Sequence, residues 1–449
     1  MNSSNQPKLA RNLKNRHVQL IAIGGTIGTG LFLGSGESIH FAGPSILLAY
    51  LLTGIICFWI MRALGELLLV DLDHASFVDI IHNYLGGHAS FIMGWTYWMC
   101  WIAMAMSDVT ALGLYMQFWF PHLPQWVPGL IILVILLAFN LVTVALFGET
   151  EFWFALIKII AIIALIIIGL IIILFHFKTP DGYASLSNLV THGGFFPRGL
   201  KGFSLSFQMV VFSFVGIEVV GMTASETANP KQVIPKAINS LPLRIILFYV
   251  GSLFVVMCIY PWNQVTTSSS PFVQVFNDLG IKAAAAIINF VVITASASAC
   301  NSALFTTGRM LFSLALDSNN RYLRKLGHLS QRQVPQAGLI VSAIVIAIAV
   351  ILNIFIPNGV FTLVSSISTT CFLFVWGSII LAHLRYLKLP IAKNNTFKAP
   401  FEPWTDYLVL IFLGFIIIIL CCQKQTLIAL GLSIVWLLAL NIIYKYTHK

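Results

Sequence analysis

Charge is scarce in this chain. Asp, Glu, Lys and Arg together make up 9% of its 449 residues, where a water-soluble domain carries about a quarter. That scarcity excludes an ordinary soluble globular protein. The seven cysteines (Cys57, Cys100, Cys258, Cys300, Cys371, Cys421 and Cys422) lie within or at the ends of apolar segments, and none stands in CxxC spacing. A disulfide framework or a cysteine-based zinc site is therefore not expected. No HExxH pair and no paired-carboxylate motif occurs, and most histidines fall in loops or at segment ends. The residues for an enzymatic, metal or cofactor site are thus missing, and none is expected. A short apolar core followed by a small-residue cleavage site is also lacking at the N-terminus, so no cleaved signal peptide is expected.

What the chain has instead is apolar length. Hydrophobic residues are 58% of the total and the mean hydropathy is +0.91. Apolar segments follow one another at 18–39, 44–68, 88–119, 126–147, 152–175, 202–226, 239–260, 282–313, 337–356, 359–386, 405–422 and 426–444. Most reach the ~20 residues needed to cross the hydrocarbon core. The pattern predicts an all-α integral membrane protein of about twelve spans, in contact with lipid along most of its length. The formal net charge of +10 sits in short loops between these runs. It reads as a topology signal and not as a nucleic-acid surface.

The distribution of basic residues sets an expected orientation. An inner set comprises Lys8, Arg11, Lys14 and Arg16, then Arg62, then Lys231, Lys236 and Arg244, Arg309 and Arg321 to Arg332, Arg385 to Lys398, and Lys445 and Lys449. The outer set is sparse: Lys178, Arg198, Lys201, Lys282 and Lys424. This asymmetry predicts both termini on the cytoplasmic side. The loop between spans 2 and 3 offers Asp71, Asp73 and Asp79 without a lysine, and acidic residues weigh little in that rule.

Span 1 is interrupted. Ile23-Gly24-Gly25-Thr26-Ile27-Gly28-Thr29-Gly30 places four glycines in seven residues, and glycine is a poor helix former. Close packing through small residues accounts for pairs four apart, such as Gly24 and Gly28, but not for this density. Neither a preceding strand nor a following Gly-Lys-Ser/Thr makes it a phosphate loop. Unwound backbone in a membrane survives where it lines an enclosed cavity, and amides at Gly28, Thr29 and Gly30, opening a half-helix, suit an anion such as a carboxylate. Span 6 carries a second interruption, Ser213-Phe214-Val215-Gly216-Ile217-Glu218-Val219-Val220-Gly221. Carbonyls near Phe212, Ser213 and Val215 suit an ammonium group, with Phe212 and Phe214 as pocket walls or ordinary packing. Corresponding breaks in two halves point to inverted repeats and a midplane binding site.

Ionisable residues inside spans are few, and each is a functional candidate. Lys158 lies among Ile and Ala residues of span 5, about 10 Å along the helix from Glu151. It either snorkels to the surface or stays buried, where desolvation opposes its charged form and suits it to take up and release a proton. Glu218 either ties the second break or takes part in the proton path. Asp108 reads as a helix-to-helix tie, and Arg62 with Glu66 as an i, i+4 salt bridge. The polar run from Thr294 to Ser302 in span 8 either packs closely or bonds to the first break.

These stretches resemble bacterial amino-acid permeases of the amino acid–polyamine–organocation superfamily. The resemblance is carried by Arg11 through Phe32, Ala42-Gly43-Pro44-Ser45, Met61-Arg62-Ala63-Leu64-Gly65-Glu66-Leu67, Gly94-Trp95-Thr96-Tyr97-Trp98, Glu151 through Lys158, Val215-Gly216-Ile217-Glu218 and Gly308-Arg309-Met310-Leu311-Phe312. It covers nearly the whole chain and weakens after about residue 390. It implies a leucine-transporter-type fold: a cytoplasmic tail over 1–17, a ten-helix core of two inverted five-span repeats over 18–386, and two further helices with a tail over 387–449. It implies a substrate carboxylate at Gly28, Thr29 and Gly30. The ammonium and side-chain pocket would comprise Thr26, Phe212, Ser213, Phe214, Val215 and Gly216. Lys158 would stand where sodium-coupled relatives hold sodium, which implies proton coupling.

Phe118-Trp119-Phe120-Pro121 and Gly193-Gly194-Phe195-Phe196-Pro197 resemble D-serine/D-alanine/glycine permeases within the family. Ala237-Ile238-Asn239-Ser240 and Tyr260-Pro261-Trp262-Asn263-Gln264 resemble proline permeases. The expected activity is proton-coupled import of small neutral amino acids by alternating access through the bacterial cell membrane. The alternatives are import of proline or another neutral amino acid, amino acid exchange, and amino acid sensing without transport. Oligomeric state is not written in the sequence.

Overall fold

The computed structural model describes residues 27–70, 77–142, 144–179, 182–219, 229–316, 321–357 and 359–447. The 1–17 tail, Gly24, Gly25 and Thr26 of the first break, and Val220 and Gly221 of the second lie outside the described residues.

Helix dominates because almost every segment is apolar, and backbone polar groups in lipid must be satisfied within the segment itself. The first break leads into α1 (Thr29–Phe32) and α2 (Gly34–Ala42), and a tight turn at Gly43–Ser45 leads to α3 (Ile46–Val70). Gly43 sits at φ +59°, and a Cβ there would collide with the Pro197 ring. Next come α4 (Phe77–Leu85), α5 (Gly87–Met116), α6 (Trp126–Val142) and α7 (Val144–Leu174). A small hairpin, Lys178–Thr179 against Gly182–Tyr183, precedes α8 (Gly199–Phe212), which ends at the second break.

Beyond the break the chain forms α9 (Pro230–Asn239), α10 (Leu241–Arg244), a π-helical stretch Ile245–Gly251 and α11 (Ser252–Ile259). Pro235 and Pro242 interrupt the backbone ladder there, and a wider turn is one way to accommodate such losses. The remaining helices are α12 (Pro271–Asp278), α13 (Lys282–Leu316), α14 (Arg321–Arg324), α15 (Gln336–Phe355), α16 (Val360–Tyr386), α17 (Trp404–Leu420) and α18 (Lys424–Thr447).

Eight stretches among the described residues are long and apolar enough to cross a membrane, one of them, Gly34–Val70, containing both α2 and α3. The shorter apolar helices α6 and α17 and the half-helix α8 complete the twelve expected spans. The short helices α4 and α12, absent from the sequence reading, are amphipathic caps between spans.

Burial grades the helices from centre to rim. The most apolar window of α5 is 83% buried, against 28% for α7 and for α18. α5 packs along α13 and α16, and its small residues Ala103, Ala105, Ser107 and Ala111 are buried, allowing close approach. On the rim, Ile160, Ile167, Ile168 and Ile171 of α7 and Leu432, Val435 and Leu438 of α18 are exposed. In water such a belt would be a large adhesive patch; here it is the lipid face.

Two expectations are corrected. Span 5 was placed from residue 152, with Glu151 marking its end, but α7 begins at Val144. Lys158 therefore lies about 21 Å along the helix from its start, and both Glu151 and Lys158 are fully buried. Snorkelling is thereby excluded. Arg62 and Glu66 also do not pair. Arg62 donates to Asn239 Oδ1 at 2.9 Å and to the Lys398 carbonyl, and its guanidinium lies 3.8 Å over the Phe397 ring. Glu66 turns inward to His383 and the Ala399 amide. Tertiary partners outbid an exposed i, i+4 pair worth only ~0.3–0.5 kcal/mol.

Candidate functional site

The two breaks meet. Gly28 caps α1 with extended dihedrals (φ −144°, ψ −152°) and no side-chain cap. Its carbonyl accepts from the Leu31 and Phe32 amides, both at 3.2 Å. The preceding amides, of Thr29 and Gly30, belong to the first turn, which has no intrahelical acceptor. A Cβ on Gly30 would come within 2.6 Å of Ser213 Cα, so only glycine lets the first break touch the second. A Cβ on Gly28 would lie 3.2 Å from Ala299 Cβ, which places α13 directly against the break. The small residues of span 8 thus serve close packing here.

The second break is a run of tight turns. The Phe214 and Val215 amides donate to the Val211 and Phe212 carbonyls at 2.9 and 3.2 Å, and Gly216 adopts φ +92°. Trp101 packs 3.2 Å from where a Gly216 Cβ would stand. The Ser213 carbonyl accepts from Tyr249 OH at 3.1 Å, and Ser213 Oγ pairs with Tyr50 OH at 3.0 Å. The Phe212 and Ser213 carbonyls are therefore already engaged, and an ammonium group would use their second lone pairs. Phe214 stacks on Tyr249 with ring centroids 4.9 Å apart, and Phe212 meets Phe361 edge-on at 6.0 Å. Both phenylalanines lie buried beside the breaks and not on the lipid face.

Polar side chains bind the first break to three helices. Thr29 Oγ1 donates to Asp108 Oδ1 of α5 at 2.8 Å, so Asp108 is the tie the sequence suggested. Lys158 Nζ of α7 donates to the Ile27 carbonyl at 3.1 Å and to Ser298 Oγ of α13 at 3.0 Å. Ser298 in turn donates to Glu151 Oε1 at 2.6 Å. The ammonium, hydroxyl and carboxylate form one chain ending on the backbone of the break. Ser298 is the residue through which the polar run of span 8 reaches the break, with Lys158 as intermediary.

Glu218 stands elsewhere. Its Oε1 accepts from Tyr97 OH and its Oε2 from Trp376 Nε1, both at 3.3 Å. It ties the second break to α5 and α16. The sequence reading missed Tyr50, Tyr249 and Glu151; phenol hydroxyls inside spans 2 and 7 were the available signal, since a buried Tyr OH needs a partner.

Among the described residues, two helix ends, at Gly28 and after Phe212, abut at backbone within a bundle of long apolar helices, the arrangement of a membrane carrier of small molecules. The amino acid permease family model matches residues 17–449, and the chain belongs to that family. It is 60% identical to the uncharacterised transporter YdgF of Bacillus subtilis, over 98% of this chain and 96% of the relative. It is 59% identical to the amino-acid permease AapA of the same organism, over 99% and 96%. With the D-serine/D-alanine/glycine transporter of Escherichia coli it shares 45% identity, over 99% and 95%. The relatives are named as permeases and transporters, a non-enzymatic class.

Proposed function

We propose that this permease imports small neutral amino acids, glycine, alanine and serine with their D-forms included, in symport with protons across the bacterial cell membrane. The observation that carries the reading is Lys158, fully buried, with its Nζ on the Ile27 carbonyl beside Gly28. An ammonium there holds the first break through a charge-assisted bond; loss of its proton weakens that bond and frees the break to rearrange. Glu151, one hydroxyl away through Ser298, gives the proton a neighbouring acceptor.

The substrate carboxylate takes the Thr29 and Gly30 amides at the positive end of the half-helix. The substrate ammonium takes the second lone pairs of the Phe212 and Ser213 carbonyls, with Val215 and Gly216 as adjacent backbone. Crowding by Phe212, Phe214 and Tyr249 favours a short side chain. The name of the Escherichia coli relative, at 45% identity, supports the choice of glycine, alanine and serine. Thr26 belongs to the same proposed pocket. Glu218, held by two donors, acts in this reading as a tie of the second break and not as a proton carrier.

Uptake of labelled glycine into proteoliposomes, with an inward proton gradient and without one, tests the proposal. Gradient-driven accumulation, competed by D-alanine and D-serine and not by bulky amino acids, is the expected result. Uptake that ignores the gradient but requires amino acid inside the vesicle would make the protein an exchanger.

A further inference from the structure

Far from the breaks along the chain, a second polar cluster forms where the C-terminal ends of α3 and α16 meet the connector to α17. His383 of α16 is fully buried between two carboxylates: Nδ1 faces Asp406 Oδ2 at 2.8 Å and Nε2 faces Glu66 Oε2 at 3.3 Å. Glu402, at the end of the connector, brings a carboxylate oxygen to the same place; one ligand atom each from Glu66, His383 and Glu402 lie within 4.8 Å of one another. Two carboxylates aimed at one point repel unless a shared proton or a metal cation lies between them.

Three details indicate what that cation is. Glu66 is fully buried, no amide, hydroxyl or amine donor reaches its Oε1, and the group in hydrogen-bond reach of it besides His383 and the Ala399 amide is a second acid, Glu402, so the two share a cation or leave an oxygen unsatisfied. The Asp406 carboxylate behind Nδ1 fixes the imidazole with Nε2 toward the glutamates, the arrangement that orients metal-bound histidines. Finally, metal–ligand distances of ~2.1 Å in a tetrahedral site place neighbouring donor atoms about 3.4 Å apart. The 3.3 Å from His383 Nε2 to Glu66 Oε2 is long for a charge-assisted hydrogen bond but matches such an edge. The surrounding charged and titratable groups are Arg62, turned to Asn239 and the Lys398 carbonyl, Tyr386, bonded to Asn395, and Lys398, 3.9 Å from Glu402.

We propose that Glu66, His383 Nε2 and Glu402 form a divalent transition-metal site of the zinc class, which fastens the α16–α17 connector to α3. The connector is already laid against α3 by Ala399 N on Glu66 Oε2 at 2.6 Å and Asn395 on the Glu66 carbonyl at 2.9 Å. A metal would replace the acid–acid contact between Glu66 and Glu402 by a shared ligand bond that also includes His383 of α16. The mixed nitrogen and oxygen set suits zinc and disfavours magnesium, which prefers oxygen alone.

The test uses the full chain in detergent, purified without an affinity histidine tag and stripped by chelator. Zinc is added back, and metal content and melting temperature are measured. Wild type should retain about one zinc per chain and melt at higher temperature with zinc, but not with magnesium. Glu402→Gln should lose both responses. Asp406→Asn, which leaves all three ligands in place, should bind zinc about 10- to 100-fold more weakly. A wild type that neither retains zinc nor shifts its melting temperature overturns the site. Equal zinc binding by wild type and Glu402→Gln overturns it too, by placing the metal elsewhere.

Discussion

At the scale of single residues, Lys158 and Gly30 carry the sharpest consequences. Lys158→Ala removes the donor to the Ile27 carbonyl and should abolish gradient-driven uptake while leaving part of the substrate binding. It also strands Glu151 without its cationic neighbour, and an uncompensated buried charge destabilises by about 3–5 kcal/mol. The double variant Lys158→Ala with Glu151→Gln separates the two effects: it should regain the melting temperature but not the response to the gradient. Retained pH-dependent uptake in either variant would remove Lys158 from the coupling step. Gly30→Ala acts by another route. A methyl group 2.6 Å from Ser213 Cα cannot be absorbed by a side-chain shift, because the neighbour is backbone. The variant should reach the membrane yet show no measurable uptake, with loss of binding seen in a tryptophan-fluorescence titration.

Between elements, the decisive contacts are the cross-ties that hold the first break to α5 through Thr29, to α7 through Ile27, and by way of Lys158 to α13. The Thr29–Asp108 bond at 2.8 Å joins a buried hydroxyl to a buried carboxyl group, and such a hydrogen bond contributes about 0.5–1.5 kcal/mol net. Thr29→Val keeps the shape of the side chain and removes the donor. It should lower the melting temperature in detergent and weaken substrate binding, since the Thr29 amide loses its fixed orientation. Thr29→Ser keeps the hydroxyl and should restore both. Equal melting and binding in Thr29→Val would show that the tie does not position the break. The existence of the break was legible in the glycine density of span 1. Its ties were not, because α5, α7 and α13 supply them from 79 to 147 residues away along the chain or from one another.

For the whole molecule, the exposed apolar rim and the buried polar centre make one prediction about topology. Five cysteines are buried, and Cys421 and Cys422, between α17 and α18, are exposed. A membrane-impermeant maleimide applied to intact cells should label those two positions alone, placing the α17–α18 connector outside as the distribution of basic residues predicts. Labelling only after the cells are opened would reverse the orientation. The number and order of spans were readable because hydropathy is a local property and each span must be apolar along its own length. The start of α7 was misjudged because Glu151 looks like a boundary in a list of residues. In the fold it is an interior carboxylate facing Ser298.

What the sequence determined by itself is the class of protein, and it named the residues on which the proposed site rests. Low charge and long apolar runs leave no other solvent for this chain than a bilayer; the glycine-bearing stretches in spans 1 and 6 and the lysine in span 5 are where the proposed cargo site was read from. Only the tertiary structure decided which groups act together. It set Gly30 against Ser213, turned Thr29 to Asp108, joined Lys158 to Glu151 through Ser298, and drew Arg62 and Glu66 apart to different partners. It also collected Glu66, His383 and Glu402 from distant segments into one cluster that no spacing motif announces. The physical reason is common to all of these. Hydropathy and backbone propensity act between near neighbours in the chain, whereas a buried polar group is satisfied by whatever partner packing brings within about 3 Å.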